Sequence, residues 1–517
     1  MNKIAKIILV LAVSIASVSC NDFFELKPSN EMVLEEFWQS EDDVLSMTAS
    51  CYRAMQEQGF MQRLIVWGEF RSDNTILGYN TGTDLNYIGG LNILPSNGYA
   101  SWDDFYRVIN YCNTVEHFAP GVRDVDPNFT ESQLRAYIAE VKAIRAFCYF
   151  TLVRTFRDIP FITEPVIDDT QSFQVPQSDP DEIIDFLIED LISVEEQAIA
   201  KWSSESYTKG RMTQAAIRTL IADMCLWRGR YQDCITYCDK VLSDGNNVLS
   251  LESSNLYNRN VFIDGNSTES IFELQFSRNN IANYALCDFY GTYGGSGSGH
   301  QQMMAFDFST TDLFADTDLR GYDAFQASSS LTMFPIKKYI AYRTQGTKIE
   351  EVRSNDYTAV DAGECNWIIY RLSDIYLMKA EAMVELNTDL EDAFELVSRT
   401  YNRANPDAVE GSFSFDNYSS QVLMRELVFD ERQREFMFEG KRYFDLVRRV
   451  NRERDQFRTI MSKYLLRKYA DLDQSTVSSK LSDFDAIYMP IKDTELKANK
   501  ALVQNPFYSV TTDIVKN

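Results

Sequence analysis

Histidine is almost absent from this chain of 517 residues, which contains only His117 and His300. A Ser-His-Asp or Cys-His centre would therefore have to use one of these two residues. The sequence also lacks a P-loop, a G-x-S-x-G elbow and an H-E-x-x-H zinc motif. The sequence accordingly predicts a protein that is not an enzyme. A hydrolase with paired carboxylates stays open as an alternative, since 76 acidic residues will form such pairs by chance.

Basic residues are also scarce, with 50 Lys and Arg against 76 Asp and Glu and a net charge of −26 at pH 7. Nucleic-acid binding needs a basic footprint, so it is excluded. The nine cysteines have spacings that match no metal or redox motif, and we expect small buried hydrophobic residues. The acidic stretch 307–318 lacks EF-hand spacing and is predicted to be a solvated loop. We therefore predict no cofactor and no metal.

No hydrophobic run reaches the roughly 20 residues that a membrane-spanning helix needs. A shorter apolar run, IILVLAVSIASVS, follows Lys3 and Lys6 and ends directly before Cys20. This arrangement is similar to a bacterial lipoprotein signal, so residues 1–19 are predicted to be a signal peptide and Cys20 the acylated first residue of the mature protein. An ordinary secretory signal is the alternative, because Ser17 stands where a standard lipobox prefers Leu.

Helical periodicity dominates the rest of the chain. Residues 20–40 have no clear period and are predicted to be an extended tether. Apolar residues then recur at i, i+3 and i+4, which predicts helices over 41–58, 101–118, 131–157, 181–198, 211–228, 231–243, 366–386, 390–403 and 420–439. The predicted fold class is mostly α. We expect one body over 41–517, with a helical scaffold (41–243 and 366–517) and a loop-rich ligand lobe (244–365).

Two predicted helix pairs are similar to tetratricopeptide repeats. In the first pair the matching positions are Ala222, Gly229, Tyr231 and Cys234. In the second pair they are Ala393 and Pro406. One helix pair cannot bury its apolar stripe alone, so we expect such pairs to stack. Ordinary helical hairpins are the alternative.

Five segments, in order along nearly the whole chain, resemble the SusD/RagB family, the nutrient-binding outer-membrane lipoproteins of Bacteroidetes. They are NDFFELKP after Cys20, AIRAFCYFTLVRTFRDIPF from Ala143, YRLSDIYLMKAEA from Tyr370, DERQREFMFEGKRYFDLVR from Asp430 and MPIKDTELKANKALVQNPFY from Met489. The fourth is the most specific. Its apolar residues can pack while Glu431, Arg434 and Glu439 make polar contacts, so we predict that it holds the fold or a partner interface.

The resemblance implies a scaffold of tetratricopeptide-like units carrying an irregular lobe. It also implies a lipid-anchored protein, acylated at Cys20, on the outer surface of the outer membrane. Its function would be to capture oligosaccharides and pass them to a SusC-like TonB-dependent transporter. A peptide-capturing protein of the RagB type is the alternative, and a secreted glycoside hydrolase is a weaker one.

The family's ligand contacts come from loops equivalent to 71–102 and 280–335. Carbohydrate sites use aromatic faces for sugar rings and a few polar groups for hydroxyls. By residue type and loop position, the predicted ligand-binding residues are Arg71, Tyr79, Asn80, Tyr87, Tyr290 and Tyr293. Arg71 is the predicted polar clamp. For each tyrosine, a packing role is the alternative.

Overall fold

The computed structural model describes residues 37–167, 171–291, 301–308, 313–325, 334–344 and 357–509. Helices dominate these ranges, which confirms the mostly α class. The predicted tether over 20–40 is described only from residue 37. There Trp38 is buried and stacks on Phe118, with ring centroids 5.5 Å apart, so the chain is fixed to the helical body from this point. Cys20 lies outside the described residues.

The first helices surround the segment that carries the candidate site. They are α1 (Glu41–Met55), α2 (Gln58–Ile65), α3 (Thr83–Gly89), α4 (Asp103–Val125) and α5 (Glu131–Phe156). Capping boxes, Ser40 with Asp43 and Thr130 with Gln133, start α1 and α5. Helix α2 runs into a π-helical turn, Val66–Phe70, whose residues are all buried. The chain therefore reaches the first strand from a buried position in the core.

The next helices are α6 (Pro180–Ile192), α7 (Glu205–Gly210), α8 (Gln214–Trp227), α9 (Tyr231–Leu242), α10 (Tyr284–Phe289) and α11 (Leu319–Ala324). Helices α8 and α9 form the first predicted repeat-like pair. Asp179 accepts the N–H groups of Asp181 and Glu182, and Pro180 occupies the first helical position of α6. These are the expected signals of a helix start, because the first N–H groups lack partners within the helix.

The last helices are α12 (Leu372–Leu386), α13 (Leu390–Ala404), α14 (Gln421–Phe436), α15 (Arg442–Arg452), α16 (Phe457–Leu465), α17 (Gln474–Leu481) and α18 (Asp493–Ala498). Helices α12 and α13 form the second repeat-like pair. The two pairs stack through α9 and α12: Cys234 Sγ lies 3.8 Å from the Met378 carbonyl oxygen, and Lys379 pairs with Asp239. The prediction that the pairs stack is confirmed.

The strands are short and lie in antiparallel pairs. The pairs are β1 (Thr75–Leu77) with β5 (Met303–Ala305), β2 (Ile159–Pro160) with β3 (Gln177–Ser178), β4 (Ser270–Leu274) with β8 (Trp367–Arg371), and β6 (Ala341–Arg343) with β7 (Tyr357–Ala359). Strand β8 shortens the helix predicted over 366–386, which begins only at Leu372. Periodicity alone does not distinguish a short, fully buried strand from a helix.

The segment 430–448 is tied into the core by buried charges. Arg371, which is 0% exposed, donates from Nη1 to Glu435 Oε1 at 2.6 Å and from Nη2 to Glu439 Oε1 at 2.9 Å. Arg320 Nη1 lies 2.8 Å from Glu431 Oε1, and Asp318 pairs with the same guanidinium. These contacts confirm that the motif holds the fold. They also correct the prediction for Asp318, which is buried and not part of a solvated loop.

The cysteines were predicted to be small buried residues. Among the described residues all eight cysteines are unpaired thiols, and all but the half-buried Cys287 are buried. Burial raises the pKa of Cys148 well above its usual value, so this thiol stays protonated.

Within the described ranges, no helix is both long and apolar enough to cross a membrane.

Candidate ligand-binding surface

Two segments far apart in sequence meet at the pairing of β1 with β5. Thr75 lies opposite Ala305, and Leu77 lies opposite Met303. The ladder continues beyond the strands, because the Gly78 N–H donates to the Gln302 carbonyl at 2.9 Å and the Tyr79 N–H donates to the Gln301 carbonyl at 3.0 Å. The structure thereby joins the two regions, 71–102 and 280–335, that were predicted to carry ligand contacts.

Glycine is required at this junction. A Cβ atom added at Gly78 would lie 2.1 Å from the Gln301 carbonyl oxygen, far inside any real contact distance. Gly291 has a φ of +81°, and an added Cβ would lie 2.0 Å from Gln301 Cγ. Both positions need a residue without a side chain, because the backbone approaches its neighbour closely.

A cavity of about 410 Å³ opens beside the junction. Its lining combines amide, carboxylate, guanidinium and phenol groups from Gln62, Arg63, Gly82, Thr83, Asp84, Leu85, Gly98, Tyr99 and Gln302. The start of α3 is tied to the following loop, because Asp84 Oδ2 accepts the Gly98 N–H at 3.0 Å and Asn97 Nδ2 donates to the Asp84 carbonyl at 2.9 Å. The polar groups of the cavity are thus held by the backbone around them.

Arg63 and Tyr99 are the most constrained of these groups. Arg63 donates from Nε to the Ser101 carbonyl at 2.7 Å and pairs with Asp104. The Tyr99 carbonyl accepts the indole N–H of Trp67 at 2.8 Å. Burial, assisted by the negative charge of Asp84, raises the pKa of Tyr99 to about 12. The phenol therefore stays protonated at neutral pH and can donate a hydrogen bond to a ligand.

Asp288 of α10 connects the elements around the cavity. Its Oδ2 accepts from Gln58 Nε2 at 2.7 Å and from Gln62 Nε2 at 3.3 Å, and both glutamines lie on α2. Its carbonyl accepts the Gln302 N–H at 3.1 Å. One residue therefore fixes α2, α10 and the 301–302 segment relative to each other.

Three of the predicted ligand residues lie in the loop and helix that border this cavity. Tyr79 is 45% exposed and follows Gly78, and the exposed Asn80 adopts a left-handed φ of +51°, which asparagine tolerates. Tyr87 is 38% exposed and lies on α3 one turn after Thr83, a cavity residue, so both project from the same face. Ligand binding by Tyr79, Asn80 and Tyr87 remains a prediction.

The structure corrects the predictions for Tyr290 and Arg71. Tyr290 is 0% exposed and donates its hydroxyl to the Phe438 carbonyl at 2.9 Å, so neither ring face is open to a ligand. Arg71 is also buried, and its Nη2 donates to the Ile487 carbonyl at 2.7 Å. It lines a different cavity and is not a polar clamp on this surface. Tyr293 lies outside the described residues.

Sequence reasoning missed the six polar side chains of the cavity. Thr83, Asp84, Tyr99 and Gln302 lie inside the predicted loop regions, and their polarity beside Gly-rich sequence was an available signal. No signal pointed to Gln62 and Arg63, because α2 was not among the predicted helices.

Glu69 is a buried carboxyl group in the π-helical turn that precedes β1. Burial raises the pKa of Glu69 to about 7. Its oxygens accept from Asn74 Nδ2 at 2.8 Å, the Phe438 N–H at 3.0 Å and the Gly440 N–H at 2.9 Å. Since Glu69 is 0% exposed, it does not meet solvent or substrate and serves the core. In the described part of the chain, no group of three or more His, Cys, Asp or Glu residues is placed to hold a metal ion.

Comparison with known proteins gives matches over most of the chain. The model of the SusD family matches residues 257–508. SusD-like protein P38 of Formosa agariphila is 23% identical over 463 residues, which cover 83% of this chain and 88% of the relative. A SusD-like protein of Bacteroides ovatus is 22% identical over 472 residues, covering 86% of this chain and 82% of the relative.

Solved structures share the fold. A SusD homolog from Bacteroides thetaiotaomicron has a TM-score of 0.72 at 16% identity, covering 92% of this chain and 98% of that one. A putative sugar binding protein from Bacteroides vulgatus has a TM-score of 0.66 at 21% identity, covering 91% and 99%.

The fold is a stack of tetratricopeptide-like helix pairs that carries a polar and aromatic surface. The matches above show that this chain is similar to proteins of the SusD/RagB family, whose model matches residues 257–508. Members of this family are nutrient-binding proteins associated with the outer membrane, and in general they bind glycans and work with SusC-type transporters.

Proposed function

We propose that this protein is a surface-exposed lipoprotein that captures oligosaccharides and delivers them to a SusC-like TonB-dependent transporter. The observation that carries the ligand assignment is that two exposed tyrosines, Tyr79 and Tyr87, lie on the loop and the helix that contribute residues to the 410 Å³ cavity. Tyrosine rings offer flat apolar faces to sugar rings, while convergent polar groups bind the hydroxyls. Similarity to a nutrient-binding family supports the same assignment.

The charges of the cavity favour a neutral oligosaccharide. The positive charge of Arg63 is matched by Asp104, and Asp84 adds a negative charge to the lining. An anionic ligand would meet this carboxylate without gaining an unpaired cation in exchange. Sugar hydroxyls both donate and accept, which suits the amides of Gln62 and Gln302.

The ligand assignment is tested by calorimetric titration of the mature chain without its acylated Cys20, residues 21–517, with neutral oligosaccharides, acidic oligosaccharides and peptides. We expect saturable binding of a neutral oligosaccharide. Tyr79→Ala and Tyr87→Ala should each cost about 1–2 kcal/mol, a loss of roughly 5- to 30-fold in affinity. Tyr207→Ala is the matched control, because Tyr207 is 61% exposed on α7, a helix that contributes no residue to the cavity.

Three results would contradict this assignment. Binding of peptides without any glycan would establish the peptide-capturing alternative. Unchanged affinity in both tyrosine variants would place the ligand elsewhere on the molecule. Shorter products after prolonged incubation with the bound glycan would identify a hydrolase, whereas we expect the glycan to be recovered intact.

The anchor and the partner need a separate experiment in cells. Cys20→Ala should abolish incorporation of a fatty-acid label and release the protein from the outer membrane, because the acyl chains supply the membrane affinity. The full-length protein should co-purify with a SusC-like transporter from detergent extracts of outer membrane. Labelling of the Cys20→Ala variant, or purification of the wild type without a transporter, would contradict this part of the proposal.

A further inference from the structure

A second cavity lies at the other end of helix α3. It has a volume of about 200 Å³ and is mostly apolar. Helix α3 contributes Ile88 to it, whereas Thr83 and Asp84 of the same helix line the candidate glycan cavity. Arg71 and residues 91–94 also line it, and the rest of the wall comes from the C-terminal third of the chain, including Tyr443 of α15, Leu465 of α16 and Leu481 of α17. The two cavities therefore share a helix but not a lining.

This second cavity has a buried floor and an accessible rim. Arg71, Tyr443 and Tyr508 are each no more than 5% exposed and form the floor. The rim carries the exposed Asn92 and the half-buried Lys480 and Ala486. A ligand entering past the rim would meet an apolar wall first and the Arg71 guanidinium last.

Arg71 has an unused donor at the floor. Its Nη2 donates to the Ile487 carbonyl, and its guanidinium carbon lies 4.2 Å from the centroid of the Tyr443 ring. Its Nη1 is buried and has no hydrogen-bond acceptor among the described residues. Those residues also offer Arg71 no carboxylate within 4.0 Å. A buried guanidinium without a counter-charge is costly, so an anion at this position would be stabilised.

The neighbouring acids and bases do not neutralise Arg71. Asp73, two residues away, is engaged by Arg442, whose Nε and Nη2 lie 2.9 and 3.1 Å from its two oxygens, and by Gln433 at 3.0 Å. The half-buried Lys468 adds a second amine near Arg71, and it donates to the Ser72 carbonyl at 2.9 Å and to the Phe70 carbonyl. Arg442 shows how a buried arginine of this protein is normally paired, and Arg71 departs from that pattern.

We propose that this second cavity binds a small organic carboxylate with an apolar body. The carboxylate accepts from Arg71 Nη1, and the apolar body lies along Ile88, Leu465 and Leu481. The cavity is smaller than the roughly 300 Å³ at which sites for drug-sized ligands begin, which limits the ligand to a short acid. The site is independent of the glycan surface and does not require the proposed function.

The probe is 3-phenylpropionate, titrated into the mature chain and followed by ligand-observed NMR and thermal melting. We expect saturable binding and a raised melting temperature. The neutral analogue 3-phenylpropionamide should bind at least 10-fold more weakly, because it brings no charge to Arg71. Binding of the amide equal to that of the acid, or no saturable binding of the acid, would overturn the proposal.

Two variants locate the ligand. Arg71→Gln should weaken binding of 3-phenylpropionate at least 10-fold. Ala486→Trp places a bulky side chain on the half-buried rim, away from the core, and should also abolish binding. This variant tests the site even where Arg71→Gln folds poorly. Tyr207→Ala, at a residue that lines neither cavity, is the control and should bind the acid as the wild type does. Wild-type affinity in Ala486→Trp would show that the acid binds elsewhere.

Discussion

Lys337 is a buried amine whose charge state is coupled to folding. Its Nζ lies 3.6 Å from the centroid of the Tyr357 ring. Burial lowers the pKa of Lys337 from 10.5 to about 7; the charge of Asp323 opposes this shift and that of Arg343 adds to it. Between these two pH values the unfolded chain holds a proton that the folded chain lacks. Stability from this residue therefore rises with pH across that window.

The corresponding prediction concerns Lys337→Met, which replaces the amine with an apolar side chain of similar length. Relative to this variant, the wild-type free energy of unfolding should rise between about pH 7 and about pH 10, by at most ~1.4 kcal/mol per pH unit. Urea unfolding at a series of pH values measures the difference. The exposed Lys497 supplies the control, and Lys497→Met should follow the wild-type profile. A parallel profile for Lys337→Met would contradict the prediction.

At the scale of elements, the ladder from β1 to Tyr79 is the feature on which the candidate surface depends. Gly78→Ala would drive a Cβ into the Gln301 carbonyl, a backbone atom that cannot rotate away. We expect a loss of about 1–3 kcal/mol in the free energy of unfolding, together with weaker glycan binding, because the two loops would separate. Denaturant unfolding and calorimetry measure the two effects.

Gly121→Ala is the matched control for Gly78→Ala. Gly121 lies inside α4, and an added Cβ would meet no atom within 4 Å. Alanine there should raise stability by roughly 0.5–1 kcal/mol, because glycine is a poor helix residue. If both variants shift stability in the same direction, the close approach at Gly78 is not the cause.

The elements also show what could be predicted from the sequence. Helix α5 begins at Glu131, as predicted, because Thr130 and Gln133 form a local capping signal. The pairing of Thr75 with Ala305 had no such signal, since strand partners far apart in sequence leave no local pattern. Tyr290 was misassigned for a related reason. Its burial depends on Phe438, a contact that residue type and loop position cannot reveal.

At the scale of the whole molecule, buried ion pairs join the middle of the chain to the C-terminal helices. Arg371 of β8 contacts Glu435 and Glu439, and Arg403 of α13 lies 2.8 Å from Glu269. All three glutamates are no more than 2% exposed. Burial alone would raise the pKa of Glu439, but the charges of Arg371, Lys338 and Lys441 lower it to about 2, so it remains charged in the core at neutral pH.

Arg371→Met should therefore destabilise the whole protein. The change leaves several carboxylates buried near one another with fewer counter-charges, and breaking such a pair costs about 3–5 kcal/mol. The expected readout is a single cooperative unfolding transition at lower denaturant concentration.

The exposed pair between Arg135 and Glu131 provides the comparison for Arg371→Met. Arg135→Met should change stability by only about 0–1 kcal/mol, since exposed ion pairs contribute little. Equal losses from the two variants would argue against a special role for the buried network.

The loops of the candidate surface are joined by main-chain groups. The N–H groups of Gly78 and Tyr79 bind the carbonyls of Gln302 and Gln301, and every residue except proline has these groups. The side chains at 79, 80 and 302 can consequently be exchanged without loosening the junction. One scaffold can in this way be adapted to new nutrients by substituting a few side chains, during evolution or in the laboratory, while Gly78 stays fixed.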